Sequence, residues 1–274
     1  MKKIVCCILI IFLFSPLVAA IKSLTVAAPL TAFASVSAAD YNAAESNAKD
    51  YIINWGLKPN NNEQAPLPPD FAGTMMEENN GIYLGGTAQK NVYLTFDLGY
   101  EAGYTSAVLD ILKRNNIKAI FFLCGHYVKK EDALVQRMLD EGHAIGNHTN
   151  LHKDLPALSD EEIQRDISEF TDLYKAKYTA PVVHFRPPKG RISARVLREA
   201  NKQGLKTVMW SSAIVDWGKT PIDAEKSADK LASRAHPGNI ILLHISNSGT
   251  PPMLDLLIPK LTAKGYSVAD ATSL

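Results

Sequence analysis

From Asn91 onward, short apolar runs recur along the chain, at Val92–Phe96, Lys118–Leu123, His143–Ile145, Val182–Phe185, Thr207–Trp210, Ile240–Leu243 and Tyr266–Val268. Their lengths and flanking turn residues predict seven strands. In the first, Val92, Leu94 and Phe96 alternate with Tyr93 and Thr95, and the strand is expected to stop at the acid Asp97. Helical patterns lie between most of the runs. Ser159-Asp160-Glu161-Glu162 reads as a capping box, and Ile163, Ile167, Phe170 and Tyr174 then mark one face at spacings of four, three and four. The helix before it, from about Ala133 to Glu141, is expected to end at a left-handed Gly142. Such alternation predicts parallel strands, and seven units suggest an α/β fold closed, or nearly closed, into a (β/α) barrel. An open doubly wound sheet is the alternative. No G-x-G-x-x-G or phosphate loop follows a strand, which argues against a nucleotide site.

Residues 40–90 lack that regularity. AAESNAKDYIINWG, residues 43–56, is a short helical candidate, and LKPNNNEQAPLPPD after it is a loop by its proline and asparagine content. The segment is expected to pack on the barrel domain, residues 91–274, through Trp55 and Tyr83. Upstream, Lys2 and Lys3 precede an uncharged run from Ile4 to Ile21, and a second run ends in Ser35-Val36-Ser37-Ala38-Ala39. Residues 1–39 thus have the outline of a secretory signal, with small-residue cleavage candidates after Ala20 or Ala38. An uncleaved membrane anchor is the alternative. Both place the remainder outside the cytoplasm, secreted or anchored.

Composition narrows the functions further. A net charge of +1 with 21% charged residues gives no field of one sign, so nucleic acid is not expected as a partner. Cys6 and Cys7 fall in the leader, leaving Cys124 alone in a processed chain, where no internal disulfide can form. Cys124 ends the apolar run AIFFLC and reads as a buried free thiol rather than a nucleophile.

In a parallel barrel, polar residues just after each strand converge on one face. Asp97 follows the first strand, Asn147-His148-Thr149-Asn150-Leu151-His152 the third, and Arg186-Pro187-Pro188-Lys189-Gly190 the fourth. Asp216-Trp217 follows the fifth and His244-Ile245-Ser246 the sixth. On one helical turn, His148 and His152 would project from the same side and grip one cation. His244 closes an apolar run where an imidazole needs a partner, and Asp216 can orient it and raise its pKa, as a general acid requires. The prolines after Arg186 fix the backbone and suit a bidentate clamp on a carboxylate such as Asp97. Lys189 and Trp217 are either site wall or exposed surface, and an exposed indole suits stacking on a sugar face.

Taken together, these segments resemble the polysaccharide deacetylases, the carbohydrate esterase group built on the NodB-type domain. TFDLGY, HTNLH, RPPKG, VDW and LLHIS match its five motifs in order between Asn91 and Leu274. The lead-in pieces NWGLKP and GIYLGGT are similar to the spore-cortex branch, the peptidoglycan N-acetylmuramic acid deacetylases that prepare muramic δ-lactam. The resemblance implies a distorted (β/α) barrel and hydrolysis of an N-acetyl amide on peptidoglycan glycan strands, functionally coupled to a muramoyl-L-alanine amidase. It implies Asp97 as general base, with Arg186 orienting it, and His244 as the acid for the leaving amine, with Asp216 tuning it. His148 and His152 would hold a divalent metal, and Tyr100, Pro187, Lys189 and Trp217 would meet substrate.

The departure is Leu98. Typical members carry a second aspartate there as a metal ligand, and leucine has no donor atom. The resemblance therefore implies a weakly held metal, zinc first, with cobalt, manganese or magnesium as alternatives. Two further readings stay open: a catalytically impaired carbohydrate-binding protein, and a deacetylase acting on N-acetylglucosamine.

Overall fold

The computed structural model describes residues 51–60, 62–218 and 220–274, so the segment read as a signal or anchor lies outside the described residues. The strands are β1 (Ile53–Asn54), β2 (Gly81–Ile82), β3 (Asn91–Leu98), β4 (Ile120–Leu123), β5 (Ala144–Asn147), β6 (His184–Phe185), β7 (Arg191–Ile192), β8 (Lys206–Val208), β9 (Ser212–Ala213), β10 (Asn239–His244) and β11 (Ser267–Val268). All seven expected strands are among them. The other four are too short to leave an apolar signature.

The main sheet runs in the order β2-β8-β6-β5-β4-β3-β10-β9, with β11 added beside β3. Every strand pairing in it is parallel. Residues 206–213 supply strands to opposite sides of the sheet: Lys206–Val208 lies between β2 and β6, while Ser212–Ala213 pairs with β10. The sheet therefore curls into a distorted barrel that closes at Met209-Trp210-Ser211.

Both faces of β3 are buried, so its alternation sorts side chains between two interiors rather than between core and water. Leu94, Phe96 and Leu98 face the helical layer, packing with residues such as Leu109, Phe170 and Leu257. Tyr93 faces the barrel interior with Ile120, Phe122, Val208 and Ile240. The strand does not stop at Asp97 but carries pairing through Leu98, opposite Leu123.

The capping box forms as expected: Glu162 N–H donates to Ser159 Oγ at 3.3 Å and Ser159 N–H to Glu162 Oε2 at 3.0 Å. It starts the helix Asp160–Lys175, whose Ile163, Ile167, Phe170 and Tyr174 are all buried. The helix Asp132–Asp140 is followed by Gly142 at φ +79°, a conformation glycine adopts without steric cost.

The lead-in departs from expectation. Residues 43–50 of the helical candidate lie outside the described residues, and 51–56 are not helical; Ile53–Asn54 pairs antiparallel with Arg191–Ile192, and Trp55 N–H donates to Gly190 O at 2.8 Å. Local helical propensity loses here to burial of one indole. Trp55 is buried against Met76, Ile192 and Met209, its ring centroid is 5.6 Å from that of Tyr83, and its Nε1–H donates to Trp210 O at 2.8 Å. The proline-rich stretch is irregular as read, but it gives way to an unpredicted helix, Asp70–Glu78. Among the described residues no helix is long and apolar enough to cross a membrane.

Candidate active site

Register builds the site. On the adjacent parallel strands β3 and β10, Asp97 is paired with His244, so a carboxylate and an imidazole arrive together at the carboxyl ends. On β4 and β5, Leu123 pairs with Asn147, which sets the next residues, Cys124 and His148, side by side. β6 pairs Phe185 with Asn147, which brings Arg186 beside His148. These carboxyl ends open onto a cleft of about 660 Å³ lined by Asp97, His148, His152, Lys189, Trp217 and His244.

Arg186 is fully buried, not a surface cation. Its Nη1 donates to Asp97 Oδ1 at 2.8 Å and to Thr95 Oγ1 at 2.9 Å, while Nε and Nη2 go to the carbonyls of Val208 and Met209 at 2.7 and 3.3 Å. The clamp on Asp97 is thus single, not bidentate, because the rest of the fork ties down the closure segment of the barrel. The guanidinium also lies 4.1 Å from the Phe122 ring centroid. Burial alone would push the Asp97 carboxyl up, but the charge and hydrogen bond of Arg186, with the charge of His244, outweigh it and hold Asp97 below the usual carboxylate range. Asp97 is therefore an ionised base on the wall of the cleft.

His244 is held twice by one buried carboxylate. Asp216 Oδ2 accepts from its backbone N–H at 2.7 Å, and Oδ1 accepts from ring Nδ1 at 2.8 Å. A carboxylate can only accept, so Nδ1 carries the proton and Nε2 is left for chemistry. Burial would lower the pKa of His244, but the Asp216 hydrogen bond and charge, with Asp97, raise it overall.

The histidine pair is brought together by a different device from the one expected. Residues 148–152 form no helical turn; Thr149 and His152 sit at φ +67° and +54°, and this irregular loop brings the two ring centroids within 5.0 Å. Two left-handed non-glycine residues in one short loop mark stored strain at a site that needs both rings. His148 Nδ1 lies 2.7 Å from Arg186 O, which can only accept, so His148 presents Nε2, 3.7 Å from Asp97 Oδ2. Burial lowers the pKa of His148, and at His152, whose residue is exposed, desolvation within the cleft and the neighbouring His148 lower it to about 4, so both rings are neutral. Neutral rings are what a metal requires. Among the described residues one group has metal-ligand spacing: the donor atoms of Cys124, His148 and His152 lie within 4.8 Å of one another.

Of the four substrate-contact candidates, Tyr100 and Trp217 are exposed on the cleft rim and Lys189 is exposed in its wall at φ +60°. Pro187 is buried behind the wall and does not line the cleft. Leu98 is only 3% exposed, packs in the helical-side core, and borders the cleft with a side chain that has no donor atom. The sequence reading missed His126 and Trp210, which also line the cleft. His126 lies just after β4, and the rule applied to the other strand ends would have found it. Trp210 bears on Gly190, where a Cβ would stand 2.5 Å from the indole, on a backbone at φ +61°. Burial, aided by the charges of Asp97 and Asp166, pushes the Cys124 thiol up, so it is no activated nucleophile.

An ionised carboxylate, an aspartate-held histidine and two neutral imidazoles around one cleft at the carboxyl ends of a parallel barrel define an acyl-cleaving hydrolase. A family model described as polysaccharide deacetylase matches residues 85–208. A peptidoglycan-N-acetylmuramic acid deacetylase of Bacillus subtilis, PdaA, is 41% identical over 217 residues, covering 78% of this chain and 82% of its own. A Bacillus cereus peptidoglycan-N-acetylglucosamine deacetylase is 33% identical, with 67% of each chain covered. The solved structure of B. subtilis PdaA, a family 4 carbohydrate esterase, superposes with a TM-score of 0.75 at 38% identity, covering 81% of this chain and 96% of that one. The chain belongs to the polysaccharide deacetylase family, whose members hydrolyse N-acetyl amides.

Proposed function

We propose that this protein removes N-acetyl groups from peptidoglycan amino sugars, acting on N-acetylmuramic acid on the way to muramic δ-lactam in the spore cortex. The observation that carries the chemistry is the register match of Asp97 with His244, which sets a base and an acid on neighbouring strands of one cleft. The similarity to the B. subtilis muramic acid deacetylase supports the choice of sugar.

In this reading Asp97, ionised and held at Oδ1 by Arg186, takes a proton from the attacking water. His244 gives the proton on Nε2 to the amide nitrogen as the C–N bond breaks, and the bonding pair leaves with the amine. Asp216 holds Nδ1–H and stabilises the imidazolium, the form in which Nε2 also carries a proton to give. Nδ1 and Nε2 have different tasks, so the two roles do not compete. The two histidine donors suit a divalent metal, zinc first, which would act as a Lewis acid on the acetyl carbonyl. Trp217 and Tyr100 offer exposed aromatic faces for the sugar rings. The substrate places the protein outside the cytoplasm, secreted or anchored, and a muramoyl-L-alanine amidase would supply strands with free lactyl groups.

The test is product identity. Glycan strands are incubated with the protein before and after treatment with a muramoyl-L-alanine amidase, then digested to disaccharides and analysed by mass spectrometry. Loss of one acetyl group from muramic acid, in amidase-treated strands, is the expected result. Loss from glucosamine alone would replace the substrate with N-acetylglucosamine while leaving the chemistry intact.

A further inference from the structure

We infer that Cys124 is the third protein ligand of the metal site, filling the role for which Leu98 has no donor atom. The inference deepens the reading above, because it rests on His148 and His152 holding a metal. Three independent features of the chain converge on it.

The first is strand geometry. Ile120 and Phe122 of β4 face the barrel interior, whereas Phe121 and Leu123 face the helices, so alternation sends Cys124 to the interior side. Leu98, in phase with Leu94 and Phe96, belongs to the helical-side core. The two residues are neighbours across the ladder, since Cys124 N–H donates to Leu98 O at 3.1 Å. A donor lost from one strand end is thus available from the next.

The second is the donor set. Sγ of Cys124 and the histidine ring nitrogens lie within 4.8 Å of one another. Zinc bonds of about 2.3 Å to sulfur and about 2.0–2.1 Å to imidazole nitrogen put tetrahedral donors roughly 3.3–3.6 Å apart, so modest side-chain rotations close the site. The Arg186 carbonyl fixes His148 with Nε2 as the free donor, the outer hydrogen bond that ligating histidines characteristically make.

The third is that the sulfur is held only by one weak S–H donation, to the His148 carbonyl. Cys124 is fully buried and unpaired in any disulfide, and the contact recorded for Sγ is a long 3.6 Å one to His148 O. On coordination the thiol gives its proton to solvent and binds as thiolate. One thiolate with two neutral imidazoles carries the same charge as one carboxylate with two imidazoles, so the loss at position 98 is made good in charge as well as number. A soft sulfur donor selects zinc or cobalt over magnesium or manganese.

Cobalt reads this directly. The metal-free full chain is titrated with Co(II), and zinc affinity is measured by competition with a chromophoric chelator. The native chain is expected to show an intense near-ultraviolet thiolate-to-cobalt band along with the visible bands of a four-coordinate site. Cys124→Ser and Cys124→Ala should lose the near-ultraviolet band, keep weaker visible bands from the histidines, and bind zinc at least about 10-fold less tightly, the scale of losing even an outer-shell partner. Cys6 and Cys7 are unchanged in both variants, so a band that survives is theirs and overturns the inference. Cobalt bound by the native chain without the band, at an affinity unaltered by Cys124→Ser, also overturns it. Failure of the native chain and His148→Ala alike to bind cobalt would instead remove the underlying histidine site.

Discussion

Asp97→Asn is expected to lower kcat for deacetylation by about two to four orders of magnitude while changing KM little, the size of effect that follows removal of a positioned base. Asparagine preserves the shape and can still accept from Arg186, but its amide cannot take a proton from water. The substitution also leaves Arg186 buried without its counter-charge, so rates are compared per folded molecule, with folding checked by thermal melt. A near-normal kcat in the folded variant would remove Asp97 from the chemistry and shift the base to another group of the cleft. The same assay separates its role from that of His244, whose Nε2 serves a different proton.

The second large effect concerns stability. Arg186→Ala removes a fully buried cation that donates to four groups, Thr95, Asp97, Val208 and Met209, at once. It leaves Asp97 as a buried uncompensated charge, so denaturant unfolding should show a loss of about 3–5 kcal/mol. Combining it with Asp97→Asn should recover part of that loss, because the orphaned charge is gone. Arg186→Lys keeps the charge but not the fork, and should fall between the two. A loss below about 1 kcal/mol for Arg186→Ala would show that the guanidinium is not what ties β3 to the closure segment.

Much of this site was legible because barrel topology converts sequence order into proximity. Asp97, His148, Arg186, Asp216 and His244 each follow an apolar run, and the register of β3 with β10 brings two of them level. What sequence could not supply was the side-chain bookkeeping at the strand ends. The Arg186 fork looked suited to two bonds with Asp97, but Val208 and Met209 carbonyls take half of it because the barrel closes there. The four-residue spacing of the histidine pair predicts a helical turn, yet Thr149 and His152 in left-handed conformations bring the rings together. Tyr51–Gly56 carries a helix-like pattern, but pairing of Ile53 with Ile192 and burial of Trp55 depend on residues more than a hundred positions away. No local window holds that information.

Cys124 shows the same limit from another side. Its apolar neighbours made it a core thiol by composition, and it is indeed buried. Only the register of Leu123 with Asn147 reveals that the sulfur lies beside His148, at the level where Leu98 contributes nothing but carbon.

The central claim, that this cleft hydrolyses N-acetyl amides with a metal at His148 and His152, is tested most directly by acetate release. Protein stripped of metal by chelation is incubated with acetylated glycan strands, and acetate is measured before and after stoichiometric zinc, cobalt, manganese or magnesium is restored. Negligible release without metal and recovery with zinc or cobalt, abolished by His148→Ala, are expected. Strands that bind while no acetate appears under any metal would contradict the claim, and would mark the protein as a carbohydrate binder on a deacetylase fold.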